Sequence, residues 1–328
     1  MKAVIASEFG SADSLVLRDI ATPKPQANEV HIETRAVGLN FPDLLVIAGK
    51  YQDLPPLPFS PGKELAGVVK SVGANVTHVK PGDRVMALVE HGACAEQVIA
   101  PSVNCYVIPE SMPFADAAAI GVIYQTAYYA LFERGQLKRG EWILVNGASG
   151  AVGIASVQLA KTHGARVLAG VRGDAQAALA RTHGADHVIR FDRTDLRNAL
   201  RDQVRAATNG HGADVIIDPI GGDVFDASLR ALAWCGRLVV VGFMAGRIPE
   251  VKANYLLLKN ITVTGLQISD YRDRDPAGFR IVQNQLFELY LAGKIKPPVV
   301  ACYPLAEFAQ AFAHVQRSAQ GKVVITVG

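Results

Sequence analysis

The chain has 328 residues, 50% hydrophobic and 19% charged, which suits about two domains with real cores and excludes bulk disorder. A formal net charge of +3 is too small to point to nucleic acid, while leaving room for a local basic site for a phosphorylated ligand. The four cysteines, Cys94, Cys105, Cys235 and Cys302, form no C-x-x-C pair, so neither a disulfide framework nor a thiolate zinc lobe is indicated, and buried reduced thiols are expected.

The opening MKAVIASEFG has an apolar run of only four residues before Ser7 and Glu8, too short for a secretory signal. Nothing approaches the ~20 apolar residues of a membrane span, and a cytoplasmic location without membrane partners is expected. Through residue 115, short β-like runs at 30–34, 67–72, 84–89 and 96–99 are separated by Pro and Gly signals such as KPGD at 80–83. That spacing predicts a compact, mostly antiparallel β domain.

From Glu141 onward, strands predicted at 142–145, 166–171, 187–189, 214–218, 237–242 and 261–265 alternate with helical segments. Asp174 stands before an Ala-rich helix as its expected cap. Gly164 and Gly184, each following the His of a repeated THGA, mark two helix exits. Six strands with helical crossovers make a doubly wound parallel sheet. Residues 279–328 add a helix at 280–292, a second from Leu305 and a closing strand at 322–327, expected to rejoin the first domain. The predicted organisation is therefore α/β: a dinucleotide domain at 116–265 inserted between two parts of a β domain, 1–115 and 266–328, with a ligand cleft between them.

The stretch VNGASGAVGIASVQLAK at 145–161 carries the first chemical signal. Ala148, Gly150 and Gly153 stand at the spacing of G-x-G-x-x-G, with only two of its three glycines present. A backbone so free of side chains can approach a phosphate. A helix starting near Ala151 aims its unpaired N–H groups and positive dipole end at that anion. Alone this match is weak; following the first strand of a doubly wound sheet, it becomes a dinucleotide site.

Taken together, GLNFPDLL at 38–45, PFSPGKELAGVV at 58–69, VKPGDRV at 79–85, QTAYYAL at 125–131, NGASGAVG at 146–153 and DPIGGDVFDASLRAL at 218–232 resemble the medium-chain dehydrogenase/reductase superfamily. The resemblance extends through ANYLLLKNITVTG at 253–265 to the closing GKVVITV, and is to the zinc-free NADPH:quinone oxidoreductase branch. It implies a GroES-like catalytic domain, an inserted Rossmann domain and NAD(P)-dependent hydride transfer. Zinc members place a Cys where this chain has Asn40 and a His where it has Lys63. An amide is a poor zinc ligand and an ammonium is none until it loses its proton, so no catalytic metal is expected. Without a Lewis acid, alcohol oxidation is disfavoured, whereas a quinone or conjugated enone can still take hydride.

An NAD-selective site carries an acidic residue about 20 residues beyond the glycines. Here GVRGD offers Arg172, whose guanidinium suits the 2′-phosphate of NADPH. The alternative is a solvated Arg172 with Asp174 on the ribose. Relatives support the phosphate with a Lys and a Tyr where this chain has Gln176 and Phe191, which leaves Arg190 to compensate.

The resemblance also implies an active-site loop of Asn40, Asp43 and Tyr51, and cofactor contacts from Phe41, Thr126, Tyr129, Asn146, Ala148, Ser149, Gly150, Ala151, Val152 and Gly153. Gly242, Phe243, Met244, Leu266, Gln267 and Ile268 follow the fifth and sixth strands, where nicotinamide would lie. Each side chain has a bland reading beside this one. Asn40 either bonds ribose or an acceptor carbonyl, or holds a turn before Pro42. Tyr51 either donates its phenol or covers the PPLP loop. Thr126 either touches nicotinamide or satisfies its own helical turn, and Tyr129 is either a cofactor contact or core. Lys63 reads as solvated or salt-bridged in the neighbourhood of Glu64 rather than as a catalytic acid.

The leading expectation is an NADPH-dependent reductase of quinones or α,β-unsaturated carbonyls. An enoyl-thioester reductase is the near alternative, without a dense basic cluster to support it. A cofactor-binding protein with a structural or RNA-binding role is the alternative of another class. The strand at 260–267 is expected at a sheet edge, where relatives pair into a homodimer.

Overall fold

The computed structural model describes residues 1–317 and 320–328. In chain order the elements are β1 (Lys2–Ile5), β2 (Val16–Asp19), β3 (Glu29–Gly38), α1 (Phe41–Ile47), β4 (Glu64–Val72), β5 (Arg84–Leu88), β6 (Gln97–Pro101), β7 (Cys105–Val107) and α2 (Phe114–Tyr128). A π-helical segment, Tyr129–Arg134, continues α2. Then follow β8 (Trp142–Asn146), α3 (Ala151–His163), β9 (Arg166–Val171), α4 (Asp174–Thr182), β10 (His187–Arg190), α5 (Leu196–Ala207), β11 (Ala213–Asp218), α6 (Gly222–Ala231), β12 (Leu232–Val240), α7 (Ala253–Lys259) and β13 (Thr262–Gly265). The chain closes with α8 (Ile268–Arg274), α9 (Pro276–Leu291), β14 (Val299–Pro304), α10 (Phe308–Arg317) and β15 (Lys322–Thr326). Two compact units result: Met1–Val122 with Arg272–Gly328, and Ile123–Tyr271.

The first unit is built on a seven-stranded sheet ordered β14-β15-β3-β4-β5-β7, with β6 also paired to β3. Only β14–β15 is parallel; the other pairs are antiparallel. Strand β3 shows why these residues form a strand. EVHIETRAVG alternates, so Val30, Ile32, Thr34 and Ala36 are buried while the residues between them are half-exposed. Of these, Val30 and Ile32 join Leu65, Val85, Val98, Phe312 and Ile325 in one core. The closing strand β15 lies between β14 and β3, so the last strand of the chain completes the sheet that β3 begins.

The second unit is a six-stranded sheet ordered β10-β9-β8-β11-β12-β13, parallel throughout. The chain leaves β8 in one direction through β9 and β10. It returns to β11 and leaves in the other direction, which puts the topological switch between β8 and β11. Helix α3 buries Ile154, Val157 and Ala160 at the predicted spacing and ends at Gly164, whose φ of 87° only glycine adopts freely. On α5, Leu200 and Val204, one turn apart, are the buried pair of an otherwise polar helix.

Three details differ from the sequence reading. Gly173, not Asp174, is the N-cap of α4; Gln176 Oε1 accepts from the backbone N–H of Arg172 (2.9 Å) and of Gly173 (3.3 Å), leaving Asp174 inside the first turn. The stretch from Leu305 begins as a 3₁₀ turn, and the α-helix starts at Phe308. Cys94 and Cys105 are buried free thiols, but Cys235 and Cys302 are exposed, because β12 turns outward at Cys235 (φ 59°) and β14 alternates with Cys302 on its open face. Among the described residues, no helix is long and apolar enough to cross a membrane.

Candidate active site

In the second unit the carboxyl ends of the parallel strands gather most of the candidate cofactor residues. Asn146 closes β8, Arg172 follows β9, Arg190 closes β10, Gly242, Phe243 and Met244 follow β12, and Leu266, Gln267 and Ile268 follow β13. The turn between β8 and α3 sits beside the switch point. Gly147 holds a φ of 66°, and its carbonyl accepts from Gly150 N–H (2.9 Å), folding the turn back on itself. A Cβ on Gly153 would stand 2.1 Å from the Gly147 oxygen, so only glycine lets the helix start this close to the strand end. Ala148 and Ser149 are buried beneath the turn. The N–H groups of Ala151, Val152 and Gly153, in the first turn of α3, have no intrahelical acceptor, the arrangement by which a helix start can hold an anion. Below them Asn146 Nδ2 donates to Asp218 Oδ1 and Ser228 Oγ, both at 3.0 Å, bracing β8 against β11.

Arg172 is exposed and its guanidinium has no partner among the described residues. Arg190 is placed differently: it is clamped by Asp174 and by Asp192, which accepts at 2.6 Å from Nη2. Phe191 is 7% exposed and its ring lies where a Cβ on Gly170 would fall, so it is core at the end of β9. Thr126 is buried within α2. Tyr129 is also buried, its ring centroid 4.5 Å from that of Tyr271. Phe243 and Met244 are exposed on the loop after β12, anchored by Met244 N–H on Pro219 O (3.1 Å).

In the first unit Asn40, Phe41 and Asp43 sit at the start of α1. Asn40 N–H donates to Asp43 Oδ2 (2.7 Å) and Asp43 N–H to Asn40 O (3.1 Å), a reciprocal lock that fixes the helix entry. The Asn40 side chain is buried and fully engaged: Nδ2 donates to Glu64 Oε1 (3.0 Å) and Gly38 O (3.2 Å), while Oδ1 accepts from Lys322 Nζ (2.6 Å). Lys322 also donates to Glu64, and Glu64 Oε2 accepts from Val122 N–H (2.9 Å). Both ions are almost fully inaccessible, at 0% for Glu64 and 1% for Lys322. Tyr51 is half-buried, with the Lys63 Nζ 4.8 Å from its ring centroid.

Asp43 is buried, and its Oδ1 has no hydrogen-bond partner among the described residues. Burial pushes its carboxyl up to about 6, against the Asn40 N–H bond and the Lys63 and Lys322 charges, with Glu64 adding to the rise. A folded value above the ordinary 3.8 means that the native state holds this proton more tightly than the unfolded chain. The associated stability is complete below about pH 4 and is lost as pH rises to about 6, in total about 3 kcal/mol. Asp43→Asn removes this titration. Urea denaturation at several pH values should show the wild type losing about that much relative to the variant between about pH 4 and pH 7; parallel pH curves would refute a buried titrating Asp43.

With this geometry in place, comparisons with known proteins decide the family. Residues 26–137 match the family model described as the alcohol dehydrogenase GroES-like domain, and residues 151–282 the one described as zinc-binding dehydrogenase. The quinone oxidoreductase-like protein 2 homolog of Nematostella vectensis is 37% identical over 99% of this chain and 88% of its own length. The chain belongs to the medium-chain dehydrogenase/reductase superfamily, quinone oxidoreductase branch. The mouse quinone oxidoreductase-like protein 2 is 38% identical over 95% of this chain and 89% of its own. The structure of Escherichia coli quinone oxidoreductase complexed with NADPH superposes with a TM-score of 0.92 at 29% identity, covering 99% of this chain and 100% of that one. The fold is that of the branch: a GroES-like domain and a Rossmann-type parallel sheet.

The zinc in the second family description does not suit this chain. Asn40 and Lys63 stand at the two positions where zinc members supply ligands, and both are committed elsewhere. Asn40 is held by Glu64 and Lys322; Lys63 donates to Glu90 O (3.1 Å) and Glu90 Oε2 (2.8 Å). Of the two sequence readings for Lys63, solvated or salt-bridged in the neighbourhood of Glu64, the structure shows the second: it is 8% exposed and its partner is Glu90, just beyond the strand paired to Glu64. Glu64 and Lys322 were not singled out from sequence. A charge opening an apolar strand, in KELAGVV and again in KVVITV, was the available signal.

Proposed function

We propose that the protein is an NADPH-dependent reductase that delivers hydride to the conjugated carbon of a quinone or an α,β-unsaturated carbonyl. The turn between β8 and α3 carries this reading: Gly147 and Gly153 bring strand and helix together, and the first N–H groups of α3 are left for an anion such as a pyrophosphate. Arg172, unpartnered at the end of β9, supplies the charge for a 2′-phosphate. When bound, the nicotinamide supplies the hydride. The chain's own residues hold the cofactor at the strand ends and lock α1 through the Asn40–Asp43 exchange. Tyr51 presents a phenol as a hydrogen-bond donor.

Loss of NADPH absorbance in the presence of quinones, small enones and enoyl-CoAs tests the reading. Turnover with a quinone or small enone is expected. Turnover confined to enoyl-CoA would replace it with a thioester reductase, and tight NADPH binding without oxidation by any acceptor would replace it with a non-catalytic role.

A homodimer is proposed as the assembly. Strand β13 is an edge of the parallel sheet, its outer N–H and C=O groups unpaired within that sheet, and Leu257 and Leu258 on the neighbouring α7 are 78% and 74% exposed. Light scattering at micromolar protein should give twice the chain mass, and a monomer would refute this assignment.

A further inference from the structure

We propose that Lys63 is a catalytic residue whose ammonium, beside the Tyr51 phenol, receives the oxygen of a carbonyl acceptor as that oxygen becomes anionic. This inference rests on the reductase reading above and names the group that stabilises the charge which hydride delivery creates.

Lys63 stands in PFSPGKELAGVV, among small and apolar residues, and its side chain is only 10% exposed. Burying an ammonium is costly unless it is held, and Lys63 is held by a single residue, through the carbonyl and the Oε2 of Glu90. An ammonium has three donors. The third has no acceptor among the described residues, and the charge lies 4.8 Å from the centroid of the Tyr51 ring. Tyr51, for its part, has a hydroxyl with no hydrogen-bond partner among the described residues, so two donors are left over at one place.

The rest of the first unit fixes this charge where it is. Glu90 is shared, with Oε1 accepting from Arg272, whose Nε also donates to Asp273 Oδ1 at 2.8 Å. Burial works to raise the Glu90 carboxyl, but the bonds and charges of Lys63 and Arg272 outweigh it and hold the group below the usual carboxylate range. His91 is pushed down by burial and by the Lys63 charge, with Glu90 opposing, so the ammonium is felt by its neighbours. Asp43 feels Lys63 and Lys322 alike, which puts the start of α1 within range of both cations. Glu64, the next residue, turns to Lys322 and Asn40, so the first residues of β4 serve the Asn40 side and the Tyr51 side at once.

The chemistry needs such a charge. Hydride addition forms a C–H bond at the conjugated carbon, and the π electrons move to the carbonyl oxygen, giving an enolate; from a quinone, this enolate then gives up a proton from the same carbon to solvent and is reprotonated on oxygen as it re-aromatises to the hydroquinone. The acceptor is reduced by two electrons, the nicotinamide is oxidised by two, and solvent finally protonates the product. A fixed cation beside that oxygen favours the anionic product over the neutral ground state, which is the condition for lowering the barrier.

The test uses 4-nitrophenol as an anionic-oxygen probe on the cofactor-free protein, its ionised fraction read from its visible spectrum. The wild type should shift the bound probe toward phenolate by about tenfold. Lys63→Met and Lys63→Gln should abolish the shift, and Lys63→Arg should keep most of it. The Gln variant retains a donor to Glu90, and its urea midpoint shows whether the fold is intact. With a quinone acceptor, the Met and Gln variants should lose about 100-fold in kcat with KM little changed. A phenolate shift equal to wild type in both variants, or kcat within about twofold of wild type, overturns the proposal while leaving the reductase reading in place. A Lys63-dependent shift in a protein whose bound NADPH is oxidised by none of the acceptors instead keeps the anion site and sinks the reductase reading.

Discussion

Lys322→Met is expected to cost about 3–5 kcal/mol of folding stability, because it leaves the Glu64 carboxylate buried with no counter-charge. The pair joins the last strand of the chain, β15, to the first residue of β4, and it does so at the centre of the seven-stranded sheet. Methionine fills most of the aliphatic volume of lysine, so packing is retained and the loss is electrostatic. Two donors to the carboxylate remain, Asn40 Nδ2 and Val122 N–H, but neither carries a full charge. Asn40 Oδ1 would lose its donor at the same time, freeing the side chain at the entry of α1. Urea denaturation of Lys322→Met and of the double variant Glu64→Gln/Lys322→Met separates these effects. The double variant, with no buried charge, should recover most of the loss. A single-variant loss below about 1 kcal/mol would show that water or relaxation already supports Glu64.

This network marks where the sequence stopped being legible. The alternation in EVHIETRAVG, the Pro and Gly punctuation of the first unit, and the strand–helix rhythm after Glu141 are local signals, and each strand and helix they predicted is present near its expected place. The β8–α3 turn was legible for the same reason, since glycine spacing and helix start are contiguous. Glu64 and Lys322 are 258 residues apart and meet only because β15 inserts beside β3. No local pattern encodes that meeting, and a lysine at the start of KVVITV reads as a solvated strand end until the sheet order is known. The same distance effect hid the partner of Lys63: Glu90 lies 27 residues on, at the end of the neighbouring strand β5. Asp174 was misread for the opposite reason. A local rule fits an acidic residue at the helix start, but Gln176 reaches back to the same N–H groups, and Asp174 is left to bind Arg190 instead.

That last exchange sharpens what is expected of cofactor selectivity. Arg190, with both a raised guanidinium basicity and two carboxylates bonded to it, chiefly through Asp192 and then Asp174, is already neutralised and is a poor reserve for a second anion. On the proposed reading the 2′-phosphate would therefore fall to Arg172 alone, and Arg172→Ala should weaken NADPH binding by about 10- to 100-fold while NADH binding changes little. If Arg190 does rearrange onto the phosphate, the Arg172→Ala loss will be small and only Arg172→Ala/Arg190→Ala will show it. Equal losses for both cofactors, or none in the double variant, would remove the assignment of the 2′-phosphate to this strand end. Gly153→Val acts one level deeper. Its Cβ would lie 2.1 Å from Gly147 O and 2.8 Å from Ala148 Cα, and both are backbone atoms that no rotamer change can move. The helix start must shift away from β8, carrying its first N–H groups out of reach of the shared pyrophosphate. Titration by cofactor fluorescence should then show NADPH and NADH both lost, with far-UV circular dichroism confirming that the sheet persists. Retained binding of either cofactor in a folded Gly153→Val protein would mean that the pyrophosphate sits elsewhere than on the turn between β8 and α3.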